Sequence, residues 1–161
     1  MIEKLILFMH IKIISVGKIK TRHWQQAESE YIERIQRYTD FQTLTVKDSS
    51  AGSAELIKEQ ETRSILDKIS ADDFVITLAS RGQQMSSEEF AEFIRNKLLH
   101  GTNKLTFVLG GPLGLSEQVL KRANFVLSFS KMTLPHELCK VMLLEQIYRA
   151  FTIIRNEKYH K

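Results

Sequence analysis

The chain has 161 residues, of which 43% are hydrophobic, and its formal net charge at pH 7 is +4. This length and apolar content predict one globular domain with a substantial core. The mild positive charge allows a nucleic-acid partner without requiring one. The single cysteine, Cys139, excludes an internal disulfide and fits a reducing compartment.

Residues 1–10 are predicted to be an extension ahead of the domain. Their apolar run at residues 5–9 is far too short to cross a bilayer and lacks the cleavage site of a signal peptide. No other segment is long enough to span a membrane, so we expect a cytoplasmic protein without a membrane partner. Met9 directly precedes the first strand, and we expect it to be the natural start. The intact mass of the native protein tests this expectation, which a species beginning at Met1 would contradict.

From residue 11 onward, strand patterns alternate with helix patterns. The periodicity predicts five strands, at 11–16, 41–46, 74–78, 105–109 and 125–129. Between and after them it predicts a helix from Trp24 to Tyr38, a charged helix ending near 69, a helix at 86–99, a short helix at 116–122 and a long helix at 135–155. Ser86 and Glu89 have the spacing of a capping box. This alternation predicts an α/β fold around a mostly parallel sheet, with residues 11–161 as a single domain.

Apolar residues cover most of the circumference of the last predicted helix, whereas a surface helix of a monomer has one apolar stripe. We therefore expect this helix to be buried on two sides, by the sheet and by the second subunit of a homodimer. The alternative is a helix buried centrally within one chain, which differs from the usual outer position of a terminal helix.

Two loops that follow successive strands predict a small-molecule pocket. Residues 110–114 read Gly-Gly-Pro-Leu-Gly, in which glycine lets backbone groups approach a ligand and proline stiffens the turn. The second loop spans residues 128–136. Parallel sheets bind ligands beyond the carboxyl ends of their strands, so both loops are expected at one site.

The sequence lacks the signatures of several other kinds of site. No glycine-rich loop follows the first strand, and there is no Walker-type loop, which argues against a dehydrogenase or an NTPase. No His, Cys or carboxylate cluster has metal-ligand spacing, so no metal is expected. Ser128 and Ser130 lack the elbow glycines of a serine hydrolase.

Two basic stretches with interleaved aromatic residues are candidates for RNA contacts. The candidate side chains are Lys18, Lys20 and Arg22 after the first strand, and Arg155 and Lys161 near the C-terminus. The alternative for the first stretch is a solvated loop whose Trp24 packs in the core, and for the tail it is a frayed end. For Arg149, the spacing predicts an ion pair with Glu145.

With these residues laid out, the chain resembles the ribosomal RNA large subunit methyltransferase H family, SPOUT-class enzymes that methylate a pseudouridine at N3. The resemblance runs from Ile11 to Lys161, and the N-terminal extension is its one departure. It rests on Ile-Ser-Val-Gly-Lys at 14–18, Val-Ile-Thr-Leu at 75–78, Gly-Gly-Pro-Leu-Gly at 110–114, Leu-Ser-Phe-Ser-Lys-Met-Thr-Leu-Pro-His at 127–136, Leu-Glu-Gln-Ile-Tyr-Arg-Ala-Phe at 144–151 and Tyr-His-Lys at 159–161.

The resemblance implies a SPOUT-type fold with a deep trefoil knot near the C-terminus, and a homodimer. It implies that S-adenosylmethionine is the methyl donor and lies in the knot. Carried over, the cofactor-binding positions are Leu78, Gly110, Phe129, Ser130, Lys131, Met132, Thr133 and Leu134. The implied substrate is large-subunit (23S) ribosomal RNA in assembled ribosomes.

In the family the C-terminal tail reaches the active site across the dimer. This makes His160 the candidate for the base or for the group that orients the target, and Tyr159 a candidate to stack on or hydrogen-bond the target base. His136 is interpreted as structural or capping. Two other functions stay open: a non-catalytic RNA- or ribosome-binding dimer that has kept the fold, and methylation of a different RNA base.

Overall fold

Five strands form one sheet: β1 (His10–Val16), β2 (Asp40–Val46), β3 (Phe74–Gln84), β4 (Lys104–Leu109) and β5 (Phe125–Ser128). Their spatial order is β2-β1-β4-β3-β5, and every neighbouring pair is parallel. The computed structural model describes residues 1–160, without the side chain of His160. The predicted α/β fold around a parallel sheet is therefore confirmed, whereas the threading of a trefoil knot stays a prediction.

The helices that flank the sheet are α1 (Ile2–Leu7), α2 (Arg22–Gln36), α3 (Ala54–Leu66), α4 (Ser87–Leu99), α5 (Glu117–Arg122) and α6 (His136–Ile154), followed by a 3-10 turn at Lys158–His160. The capping box that precedes α4 is confirmed. Ser86 Oγ accepts the N–H of Glu89 at 3.1 Å, and Glu89 Oε2 accepts the N–H of Ser86 at 2.7 Å. Tyr38 lies beyond the end of α2 rather than within it, and its ring stacks on Phe151 at 5.5 Å.

Both faces of the sheet are covered by apolar layers, because successive residues of a strand point to opposite faces. Ile13 and Phe107 belong to the larger core cluster, which includes residues of α1, α2, α4 and α6. Ile14 and Val108 belong to the smaller cluster, which includes residues of α3 and α5. The helices cover the two faces of the sheet, and the loops that follow the strands form its carboxyl edge.

The last helix, α6, packs against both α2 and α4 and reaches β4 of the sheet. Leu144, Ile147 and Phe151 are fully buried within the single chain. Met142 and Tyr148 of the same helix are only partly buried in the single chain. Neighbouring helices therefore cover part of its apolar circumference, and cover by a partner subunit stays a prediction.

The N-terminal segment forms a short helix that the sequence pattern did not predict. α1 packs against α4, and Ile6 and Met9 are buried in the larger core cluster. A helix of six residues is too short to form on its own in water, so it depends on this packing. That Met9 is the natural start stays a prediction.

Strand β3 continues beyond its predicted end at residue 78. Its register against β5 shifts between Leu78 and Gln83, so that residues 79–82 form a bulge within the strand. Gly82 permits this course, since a Cβ at that position would lie 2.6 Å from the carbonyl carbon of Leu127. Pairing with β5 resumes at Gln83 and Gln84, which keeps the intervening Ala-Ser-Arg-Gly segment within the strand despite its weak strand propensity.

Among the described residues there is neither a membrane-spanning helix nor a cluster of metal ligands. None of their helices is long and apolar enough to span a bilayer. No group of three or more of their His, Cys, Asp or Glu side chains could hold a metal ion.

Candidate functional site

A cavity of about 600 Å³ opens at the carboxyl edge of the sheet. Its walls are the bulged part of β3, the loops that follow β4 and β5, the start of α6, and one residue each of α3 and α5. The lining consists of Lys58 and residues 78–81, 109–115, 120, 127–130, 132–136 and 139. The two loops from which the sequence predicts a pocket thus line one cavity, whose volume is typical of small-molecule sites.

The cofactor positions implied by the family resemblance fall together in this cavity, with one exception. The lining includes Leu78, Gly110, Phe129, Ser130, Met132, Thr133 and Leu134. Lys131 is absent from the lining and lies exposed on the same loop. Its side chain therefore points away from the cavity that its neighbours enclose.

The loop after β4 is folded so closely that its first residue must be glycine. A Cβ at Gly110 would lie 2.9 Å from the carbonyl carbon of Gly114 and 3.1 Å from the N of Leu115. Gly114 has a φ of +72°, and its N–H donates to the carbonyl of Gly111 at 2.9 Å. These constraints give the cavity a wall of closely packed backbone, which a small ligand can approach at short range.

The loop after β5 is joined to the β3 bulge. The hydroxyl of Ser128 lies 3.2 Å from the carbonyl of Ser80 and 3.0 Å from that of Ser130. The N–H of Met132 donates to Ser130 Oγ at 3.0 Å. These hydrogen bonds connect the wall formed by the β3 bulge to the wall formed by the loop after β5.

The charge that lines the cavity is positive. Lys58 and Arg81 line it, and none of its lining residues in the described chain is a carboxylate. Cys139 also lines it, but burial raises the pKa of its thiol, so the sulfur stays protonated at neutral pH and is not a nucleophile. The cavity thus favours a ligand with an anionic group.

The C-terminal tail folds back on α6. The hydroxyl of Tyr159 donates to Glu145 Oε1 at 3.2 Å, and its ring packs edge-on against Tyr148 at 4.7 Å. Burial and hydrogen bonding with Tyr31 and Glu145 raise the pKa of Tyr159, so its phenol stays protonated. The predicted pair of Arg149 with Glu145 is confirmed, with a distance of 2.7 Å, and the guanidinium lies 4.9 Å from the centre of the Tyr159 ring.

A second group of contacts holds the residues that precede Tyr159. The hydroxyl of Tyr38 donates to Glu157 Oε2, and the N–H of Glu157 donates to the carbonyl of Thr152 at 2.8 Å. Arg155 Nε lies 3.3 Å from Glu157 Oε1. The charge of Arg155, a candidate RNA contact, is therefore engaged within the chain.

Tyr159 lies away from the cavity of its own chain. It contacts α6 at residues 145–149, whereas the cavity reaches α6 only at His136 and Cys139. At about 1.5 Å per residue, at least about 9 Å of helix separates the two regions. The side chain of His160 and all of Lys161 lie outside the described residues, so their predicted roles stay predictions.

The first basic stretch lies beside the start of α6. Lys18, Lys20 and Arg22 are exposed. The N–H of Lys20 donates to Glu137 Oε1 at 2.6 Å, and its ammonium lies 3.6 Å from Asp48 Oδ2. These cations thus lie at the same edge of the sheet as the cavity. Trp24 is half-buried rather than part of the core.

Two parts of the cavity lining were not predicted from the sequence. Lys58 belongs to a helix that is distant in the chain, and no local pattern connects it with the loops. Residues 79–81 were placed beyond the end of β3, although the glycine at position 82 was a signal of a bulge. His136, the last residue of the second predicted loop, also lines the cavity, and its structural or capping role stays a prediction.

Comparisons with known proteins agree with this geometry. Residues 9–160 match a family described as "Predicted SPOUT methyltransferase". The ribosomal RNA large subunit methyltransferase H of Carboxydothermus hydrogenoformans is 49% identical over 159 residues, which cover 95% of this chain and 100% of that protein. The protein of the same name from Bacillus cytotoxicus is 50% identical with the same coverage.

Solved structures support the fold. A probable methylase family protein from Haemophilus influenzae matches with a TM-score of 0.56 and 16% identity, over 96% of this chain and 72% of that one. A probable methyltransferase from Bordetella pertussis also has a TM-score of 0.56, with 12% identity over 92% of this chain and 97% of that one. The chain therefore belongs to the SPOUT methyltransferases, and among them to the ribosomal RNA large subunit methyltransferase H family.

Proposed function

We propose that this protein transfers the methyl group of S-adenosylmethionine to N3 of a pseudouridine in large-subunit ribosomal RNA, within assembled ribosomes in the cytoplasm. The observation that carries the proposal is the cavity at the carboxyl edge, where the loops that resemble those of the family enclose one space. The printed name of relatives 49% identical to this chain supports the ribosomal RNA substrate.

The residues of the cavity fit S-adenosylmethionine. Leu78 and Leu134 offer apolar surface for the adenine ring, and the backbone of the loop after β5 offers donors and acceptors for its edge. Gly110 presents backbone without a Cβ, and the absence of a lining carboxylate leaves room for the carboxylate of the donor. When bound, S-adenosylmethionine supplies an electrophilic methyl group on a sulfonium sulfur.

The protein has two tasks in this reaction. It must hold the target base against the donor in line for displacement, which supplies a large part of the acceleration. It must also accept the proton of N3, which a base near the target assists. His160 is the candidate for that base, and Tyr159, whose hydroxyl and ring contact α6, anchors the segment that carries it.

Replacing Gly110 with alanine tests the assignment of the donor site. The added Cβ would collide with backbone of the same loop, at 2.9 Å from Gly114, and the wall must shift to accommodate it. We expect S-adenosylmethionine to bind at least about 10-fold more weakly in calorimetry, which corresponds to about 1.4 kcal/mol. The control is Gly101→Ala, which strains a positive φ on a distant turn. It should lower stability and leave donor affinity intact; equal donor affinity in both variants would contradict the assignment.

We also propose that the protein is a homodimer in which each tail serves the cavity of the other subunit. The distance between Tyr159 and the cavity of the same chain supports this arrangement, because the tail is anchored to the far part of α6. A dimer brings a second cavity within reach of the tail without breaking these contacts.

Subunit mixing tests the exchange of tails. Gly110→Ala has a defective cavity and an intact tail, and His160→Ala has the reverse defect. If tails act across the dimer, each mixed dimer has one complete site. Random mixing of equal amounts should then restore about one quarter of wild-type activity, since half the dimers are mixed and each has one of its two sites complete. Activity no greater than the average of the two variants measured alone would indicate that the tail acts within its own chain.

A further inference from the structure

The β3 bulge carries an arginine to the cavity. Arg81 lies in the irregular segment between Leu78 and Gln83, and its side chain is exposed where that segment lines the cavity. Bulges often re-aim a side chain next to an active site. Neither the strand pattern nor the motifs of the resemblance draw attention to this residue.

The backbone around Arg81 is held on both sides. After it in the chain, Gly82 lies so close to β5 that a Cβ would be 2.6 Å from the carbonyl carbon of Leu127 and 2.7 Å from the carbonyl oxygen of Val126. Before it, the carbonyl of Ser80 lies 3.2 Å from the hydroxyl of Ser128, at the end of β5. The bulge is therefore held against the wall that carries the donor-binding candidates.

The charge of Arg81 has no partner within the described residues. It takes part in none of the ion pairs found there, in contrast to Arg34, Arg63 and Arg149, each paired with a glutamate one turn away. The cavity lining contains no carboxylate that could serve it. An exposed guanidinium without an internal partner is suited to bind an anionic oxygen group that comes from outside.

We propose that Arg81 binds a backbone phosphate of the RNA substrate at the mouth of the cavity, next to the nucleotide that enters it. This inference rests on the proposed function, because it names the contact by which that substrate is held. A second source of anionic oxygen is the carboxylate of the methyl donor. The exposure of Arg81 favours the larger substrate, since a small cofactor would lie deeper in the cavity.

The test compares Arg81→Gln, Arg81→Lys and the control Arg95→Gln. Arg95 is another exposed arginine, on α4, and is absent from the cavity lining. Filter binding to ribosomes from a strain lacking this gene gives RNA-dependent affinity at several KCl concentrations. Calorimetry with S-adenosylmethionine gives donor affinity separately, and melting curves report folding.

For Arg81→Gln we expect ribosome affinity to fall about 5- to 10-fold and the slope of log affinity against log salt to become shallower by about 0.7, as for the loss of one phosphate contact. Arg81→Lys should recover most of the affinity, and Arg95→Gln should match the wild type. Donor affinity should be unchanged in all three variants, and so should the melting temperature.

Two results would overturn the inference. A fall in donor affinity with an unchanged salt slope would assign Arg81 to the donor's carboxylate, and wild-type behaviour of Arg81→Gln in both assays would leave it without either role. Failure of the proposed function is separate from both, because it would appear as wild-type protein that binds ribosomes without transferring a methyl group.

Discussion

Replacing His160 with alanine is expected to slow single-turnover methyl transfer by about 100-fold or more, the usual contribution of a positioned general base. Donor affinity should be unchanged, because the role expected of His160 concerns the N3 proton of the target base, whereas the donor-binding candidates lie on the loops that line the cavity. The measurement is a rapid-quench assay with enzyme in excess over ribosomes, which separates the chemical step from product release. Partial recovery of the rate on adding imidazole would identify the missing group as a base.

The matched control for this variant is His100→Ala. His100 caps the end of α4, where its Nδ1 lies 2.7 Å from the carbonyl of Asn96, and it is absent from the cavity lining. Its loss should leave the rate unchanged. If His160→Ala transferred methyl groups as fast as wild type, the proton of N3 would have to go to another acceptor.

The second large effect concerns the ion pair at the amino edge of the sheet, opposite the cavity. Lys12 Nζ lies 2.8 Å from Asp73 Oδ2, and only 4% of the Asp73 side chain is exposed. Lys12→Met leaves this carboxylate buried without its cation, and we expect the free energy of unfolding at pH 7 to fall by about 3–5 kcal/mol. Denaturant unfolding measures the change. Donor affinity of the folded variant should be unaffected, because the pair lies outside the cavity lining.

The pH dependence of this effect has a definite sign. Burial alone would raise the pKa of Asp73, but hydrogen bonds from Lys12, the N–H of Ser70 and Thr106 lower it below its usual value. In wild type the contribution of the pair is therefore present above the pKa of an unfolded aspartate, about 3.9, and is lost as the pH falls through the lower pKa of the folded state. Without the cation of Lys12 we expect the pKa of the buried Asp73 to be higher than in wild type, so that protonation at acidic pH removes the unpaired charge.

The deficit of Lys12→Met should accordingly be largest near neutral pH and shrink as the pH approaches 4. The double variant Lys12→Met/Asp73→Asn should regain more than half of the lost stability, since neither charge is then buried alone. A deficit independent of pH, or one that the second substitution enlarges, would mean that the packing of the Lys12 side chain matters more than the charge of Asp73.

The fold was predictable from the sequence where local pattern and tertiary packing agree. The apolar runs of the five strands and the capping box at Ser86 and Glu89 specify their elements locally, and the order of these elements implies a parallel sheet. The β3 bulge was not predictable in the same way. Residues 79–82 have little strand propensity, and they stay within the strand because Gln83 and Gln84 beyond them pair with β5 and Gly82 allows a close approach to it.

The position of α6 shows the limit of reasoning from hydrophobicity. Its composition correctly indicates burial on two sides, but composition does not distinguish a second subunit from two other helices of the same chain. Contacts distant in sequence answer part of the question, since α2 and α4 both pack against α6, while Met142 remains partly exposed. Further support for the proposed dimer comes from the tail, whose anchor on α6 involves Tyr38, Tyr148 and Glu157 from separate parts of the chain.

The candidate site was predictable to the extent that it is built from consecutive residues. The loops after β4 and β5 are continuous segments, so a resemblance in sequence carries over to positions in space, as for Gly110 and Thr133. Lys58 and Arg81 escape such reasoning, because they reach the cavity through helix packing and a register shift. Both are cations, and they determine the charge of the cavity.

The measurement that tests the central claim most directly is methyl transfer to ribosomes isolated from a strain that lacks this gene. Purified protein is incubated with these ribosomes and labelled S-adenosylmethionine, and the nucleosides of the large-subunit RNA are then separated and identified by mass spectrometry. We expect label in N3-methylpseudouridine at a single position. Label in another nucleoside would contradict the assigned target, and binding of the donor without any transfer would favour a non-catalytic RNA-binding protein.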